Sequence, residues 1–213
     1  MKIYDISVPI RPGMPHWPGD PPVKLEKTAS IEAGDSANIT QIQMCVHTGT
    51  HIDAPHHFLA HGKTVDQLAV DPFYGDVLVM AFADDLDVIT SQALAAHTDV
   101  SRLKKASRVL FKTRNSKLWK AHPTTFQENY VGLDASGARF LSEINLSLIG
   151  LDYLSVAAFH DTHQPHHILL SRDIVLLEGI DLSRVDPGQY RLLCAPLLIE
   201  GCEGAPARVF LLE

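Results

Sequence analysis

Apolar and polar positions alternate over residues 2–10, which predicts an opening strand. Residues 11–22 then carry five prolines and two glycines and predict a long, stiff loop. A loop of this length without its own helix is uncommon inside a compact domain and is often functional. It contains Trp17, in Trp17-Pro18-Gly19-Asp20. Residues 37–47 alternate again, with Ile42, Met44 and Val46 on one face and Gln41, Gln43, Cys45 and His47 on the other, a strand signature. Further strands are expected over residues 74–82, 108–113, 146–151, 174–177, 190–199 and 207–212. Helical patterns are fewer: residues 91–97, residues 135–144, and a turn at 65–68. No repeat, low-complexity tract or linker interrupts the chain. These patterns predict one α+β domain over residues 1–213, rich in mixed strands with a few helices; strand order cannot be read from them.

Composition adds bounds. A chain of 213 residues, 46% hydrophobic and 20% charged, can bury a core without disulfides or a structural metal. A metal here therefore needs a functional explanation. The net charge of -7 and the lack of a basic cluster exclude a nucleic-acid footprint. The densest basic stretch, residues 102–120, is broken by Leu103, Val109, Leu110 and Phe111 and reads as a buried strand with solvated ends. The three cysteines, Cys45, Cys194 and Cys202, lack paired spacing, which suggests a reducing compartment. The first residues lack the apolar stretch of a signal peptide, and no apolar run approaches the ~18 residues of a membrane span. A cytoplasmic protein with no membrane or nucleic-acid partner is expected.

The twelve histidines change the picture, because they cluster. His47, His51, His56, His57 and His61 form one group, and His160, His163, His166 and His167 another. In a β-like segment positions 47, 49, 51 and 53 point to one side. His47, His51 and Asp53 would then converge, with Gly49 leaving room between them. Two imidazoles and a carboxylate suit zinc and similar divalent ions. A helical zinc-protease reading fails, because Thr48 stands where the general-base Glu belongs and Gly49 and Pro55 disfavour a helix. His57 follows Pro55 and could take a proton from a bound water. If the chain is extended there, only one of His56 and His57 can face the site.

Residues 173–180 read as a buried strand with one carboxylate, Glu178. An unpaired charge there would be costly, so Glu178 is paired, neutral, at a strand end, or bound to a metal. His166, in a segment reading as helix or loop, could join it. Whether the two histidine groups meet is left open by the sequence.

The run from His47 to Phe58, HTGTHIDAPHHF, resembles the signature of the metal-dependent cyclase-like hydrolases, which include bacterial kynurenine formamidase and isatin hydrolase. The resemblance extends to the Trp17-Pro-Gly-Asp20 loop, to Gly150-Leu-Asp152-Tyr-Leu-Ser155, and to the segments around His166 and Glu178. It implies a swivelling β/β/α fold. It implies one or two divalent metals per subunit, zinc or manganese, with His47, His51 and Asp53 on the first and Asp53, His166 and Glu178 on the second. His57 would be the catalytic base, and Trp17 and Phe58 an aromatic substrate wall. The expected partners are a small-molecule amide and a second copy of the chain, as a homodimer or larger homo-oligomer. The implied activity is amide hydrolysis of the arylformamidase kind, N-formylkynurenine to kynurenine and formate. A ring-opening hydrolase of isatin-like cyclic amides, and a metal-binding protein without turnover, are the alternatives. His56 departs from the formamidase pattern and is a candidate for mistaken ligand assignment; the stretch 156–165, with His160 and His163, is closer to the broader family and bears on the substrate.

Overall fold

The computed structural model describes every residue except His122. Its strands are β1 (Ile3–Asp5), β2 (Lys24–Ala29), β3 (Ile39–Gln43), β4 (His51–Asp53), β5 (Tyr74–Ala81), β6 (Val88–Ile89), β7 (Arg108–Lys112), β8 (Gly132–Leu133), β9 (Leu148–Leu151), β10 (Val175–Glu178), β11 (Gly188–Pro196) and β12 (Gly204–Leu212). The helices are α1 (Ser91–Ala96), α2 (Val100–Leu103), α3 (Ala135–Ser142) and α4 (His163–Leu170). Eight strands form one mixed sheet in the order β1-β12-β11-β5-β7-β9-β10-β4. β4 also pairs with the first residues of β12, Gly204↔Asp53 and Pro206↔His51, so the sheet closes on itself. This is the strand-rich α/β arrangement expected of a swivelling β/β/α domain.

Side-chain alternation explains the layers. In β5, Val77 and Val79 enter the barrel interior with Leu110, Leu148, Val175 and Leu177. Their neighbours Leu78 and Met80 point the other way, with Val109, Phe111, Ile149 and Leu176, into a second core under the helices. The β5-β7-β9-β10 run is parallel and buried on both faces, which is why its strands read as apolar runs. α1 packs on α3 and α3 on α4 over that run. Thr90 caps α1 through Ala93 N (3.1 Å), and Asp134 caps α3 through Gly137 N (2.7 Å). β11 is antiparallel and half-solvated, with only Tyr190, Leu192 and Cys194 buried in alternation.

Three expectations need correction. The opening strand is shorter than 2–10: it ends at Asp5, and beyond it only Ser7 makes a bridge, to Ile180. The strand expected over 37–47 stops at Gln43. It pairs with β2 in a two-stranded hairpin whose residues are nearly all exposed, so its alternation does not mark a core face. Residues 46–50 turn, and only His51–Asp53 is strand. Gly49 sits at φ 65, where a side chain is strained. A Cβ there would meet Met14 at 3.2 Å and Val8 at 3.4 Å, so Gly49 makes way for the packing of the N-terminal loop and not for a metal.

Candidate metal centre and its pocket

The site lies on the outer face of the barrel at β4 and β10, under α4. Ile52 points into the barrel core, so alternation turns His51 and Asp53 outward. On β10, Val175 and Leu177 point inward, so Glu178 faces the same outer layer. The antiparallel register places Glu178 opposite His51 and Leu176 opposite Asp53. α4 supplies His166 from above. His47 arrives by the turn at 46–50, and Gly204 of β12 gives it space: a Cβ there would come within 2.6 Å of the His47 ring.

The two sequence clusters meet. One ligand atom each from His47, His51 and Asp53 lies within 4.8 Å of the others, and the same holds for Asp53, His166 and Glu178. Asp53 belongs to both sets. His51 Nδ1 lies 3.0 Å from the Gly49 carbonyl, and His166 Nδ1 2.6 Å from the Thr162 carbonyl. Donation there fixes the tautomers and turns both Nε2 atoms inward. His51 Nε2 lies 3.5 Å from Asp53 and 3.3 Å from Glu178; His166 Nε2 lies 3.2 Å from Glu178 and 3.7 Å from Asp53. His47 Nδ1 is 2.8 Å from Asp53 Oδ1. Glu178 also accepts a hydrogen bond from Val156 N at 2.7 Å.

Both oxygens of Asp53, and Nε2 of His47 and His51, are buried without hydrogen-bond partners. A carboxylate this dry needs positive charge beside it. Burial opposes the Asp53 charge, but the neighbouring His57 and His47 imidazoles hold its carboxyl well below the usual range. Burial likewise opposes protonation of His51, yet Asp53 and Glu178 push its pKa up to about 10. The cluster thus demands cations, and imidazole and carboxylate together form an N/O donor set suited to divalent metals. The residues present fit such ions.

His57 ends the 3₁₀ turn Pro55–His57 and stacks on His47, ring centroids 4.0 Å apart. It lines the pocket, and burial lowers its pKa despite the nearby Asp53. His56 does not line the pocket; the chain is helical there rather than extended, but only one of the pair faces the site. Phe58 stacks on His166 at 4.5 Å. Trp17 lies across a cavity of about 190 Å³, held edge-on by Phe126 at 5.2 Å. Asp20, Leu154, Ser155 and Thr162 complete the lining. Of these, Asp20, Leu154 and Ser155 stood inside the quoted motifs without an assigned role. Glu203, 3.6 Å from His47 Nε2, carried no sequence signal.

Comparison with known proteins agrees with this architecture. The Cyclase family model, described as Putative cyclase, matches residues 4–158, and the chain belongs to that family. Cyclase-like protein 3 of Oryza sativa subsp. japonica is 37% identical, over 100% of this chain and 80% of its own. Kynurenine formamidase of Bacillus cereus is 36% identical, over 96% and 94%. Among solved structures, a potential metal-dependent hydrolase with cyclase activity superposes with TM-score 0.81 at 30% identity, covering 99% of this chain and 96% of that one. Isatin hydrolase A from Ralstonia solanacearum shares the fold, with TM-score 0.84 at 23% identity, over 100% and 92%.

Proposed function

We propose that this chain, residues 1–213 acting as one cyclase-like domain, is a metal-dependent amide hydrolase of the arylformamidase type. The observation that carries the reading is Asp53, dry on both oxygens and shared by two ligand triads, beside a pocket lined by His57 and aromatic rings. His47, His51 and Asp53 would hold one divalent ion, and Asp53, His166 and Glu178 a second; zinc or manganese suits the donors. The ions, when bound, acidify water and polarise a carbonyl.

The rest is the work of side chains. His57, kept neutral by burial, accepts the proton of the water that adds to the formyl carbon. As the C–N bond breaks, His57 returns that proton to the departing aryl amine, and formate is the other product. Trp17 and Phe58 flank the arene. For N-formylkynurenine the products are kynurenine and formate. Absorbance of N-formylkynurenine on metal-loaded enzyme, beside isatin and simple formamides, tests the reading. Loss on the formamides supports it, and turnover of isatin alone favours the cyclic-amide alternative. Flat traces on all three sink both substrate assignments and favour metal binding without turnover.

We also read the protein as a homodimer or larger. An isolated two-stranded hairpin is marginal in water, yet β2–β3 stands free with Leu25, Ile31, Ile39 and Ile42 exposed. Light scattering on a size-exclusion peak that gives a monomer mass would refute this. Its three free cysteines suit a reducing cytoplasm.

A further inference from the structure

The buried metal centre uses only one histidine of α4. His166 is buried and turned onto Glu178, whereas His163 and His167 are exposed. These two stand four residues apart, which puts them one above the other on the same face of the helix. Their rings are nearly parallel, 21° apart in plane, with centroids 5.8 Å apart. Neither lines the pocket. Among the described residues, the side-chain hydrogen bonds and carboxylate contacts of the α4 histidines all belong to His166. His163 and His167 therefore offer ring nitrogens that no other side chain occupies.

The helix holds the pair in place. Pro165 lies in the first turn of α4, where its missing N–H costs nothing and its fixed φ stiffens the start. At the other end Ser171 N donates to His167 O at 3.1 Å. Phe58 meets the His163 ring edge-on at 5.8 Å and stacks on His166 at 4.5 Å, so the exposed ring is backed by the same side chain that backs the buried one. Two histidines at this spacing on a helix present their nitrogens to one metal ion. Zinc–imidazole bonds of about 2.0–2.1 Å bring two rings on one ion to centroids roughly 5 Å apart, so a small turn of either ring closes the pair. Solvent supplies the remaining ligands. A pair of imidazoles without a carboxylate suits zinc, nickel and copper and disfavours manganese and magnesium.

We propose that His163 and His167 form a further, exposed site for a divalent transition-metal ion of the zinc type, separate from the buried centre. It depends neither on amide hydrolysis nor on the buried ions. Two imidazoles and water hold an ion loosely, so desalting strips this site while the buried ions stay.

Equilibrium dialysis of the zinc-loaded chain against rising free zinc, with bound metal read by elemental analysis, tests the site. The parent should take up about one zinc ion per chain more than His167→Ala, since loss of a ligand weakens binding by more than about tenfold. His163→Ala should lose the same ion. His61→Ala, which removes an exposed histidine elsewhere, should keep it. Manganese-loaded protein dialysed against manganese should show no such excess. Asp53→Ala should retain the excess although its buried ions are gone, and His167→Ala should hydrolyse amides at the parent rate. Excess zinc undiminished in His167→Ala, or lost equally in His61→Ala, overturns the site. An equal excess of manganese also overturns it, and loss of the excess in Asp53→Ala would make the pair part of the buried centre and overturn its separateness. A histidine-dependent zinc excess on a chain that hydrolyses no amide leaves the site standing and defeats the hydrolase reading.

Discussion

Asp53 and Asp152 are both fully buried, each at the end of a strand of the same barrel. Their surroundings differ. Asp152 accepts from Thr113 N and Oγ1 at 2.7 and 2.8 Å, and from Ser116 N and Oγ at 3.0 and 2.6 Å. Burial pushes its pKa up to about 6 against those four donors. Asp53 has no hydrogen-bond donor on either oxygen and only imidazoles and a second carboxylate around it. A carboxylate ringed by amides and hydroxyls ties a loop to a sheet. A carboxylate left dry among other ligand atoms is completed by something the chain does not supply.

The contrast can be broken most directly at Asp53. Asp53→Ala should leave a folded protein whose metal content, by elemental analysis, falls close to zero with amide hydrolysis at background. Full metal occupancy in that variant would refute the ligand assignment. Next, His57→Ala should lower kcat by roughly 10²–10⁴-fold while metal stays bound. An unchanged rate, or lost metal, would show that His57 does something else. Asp152→Ala should instead act on stability, costing about 3 kcal/mol in urea denaturation because four buried donors lose their acceptor. Its folded fraction should keep the metal stoichiometry of the parent; selective metal loss would erase the distinction between the two aspartates. The smallest effect is on pH. His51, with its pKa near 10, carries a proton at neutrality that a metal must displace. Because the raised pKa keeps that proton bound as pH falls, metal affinity should weaken by about tenfold per pH unit between pH 8 and 6. Competition titration with a chelator reads this, and a flat profile would contradict it.

Much of the site was legible because its chemistry is dense and local. The first group's four ligand and proton-transfer candidates, His47, His51, Asp53 and His57, fall within eleven residues of chain, and Pro55 separates His57 from the strand that holds Asp53. Apolar runs also gave β5 and β7 to within a residue, whereas the strand expected over 190–199 is displaced from β11 by two to three residues. What failed depended on the surroundings. The 37–47 alternation is real, but nothing covers either face of the hairpin, so the pattern does not report burial. Gly49 stands between two proposed ligands in sequence, yet the space beside it is taken by Met14 and Val8 of the N-terminal segment. The meeting of Asp53 with Glu178 depends on a pairing between residues more than a hundred positions apart, which no local period encodes.

The closure of the barrel has a temporal consequence. β4 is clamped between β10 and the start of β12, and at the crossing a Cβ on Gly179 would lie 1.9 Å from the Gly49 carbonyl. His51 and Asp53 emerge early in synthesis, but the strands that orient them come more than a hundred residues later. Such distant pairings form late in folding. A nascent chain therefore displays the histidine-rich signature long before the strands that orient His51 and Asp53 have been made.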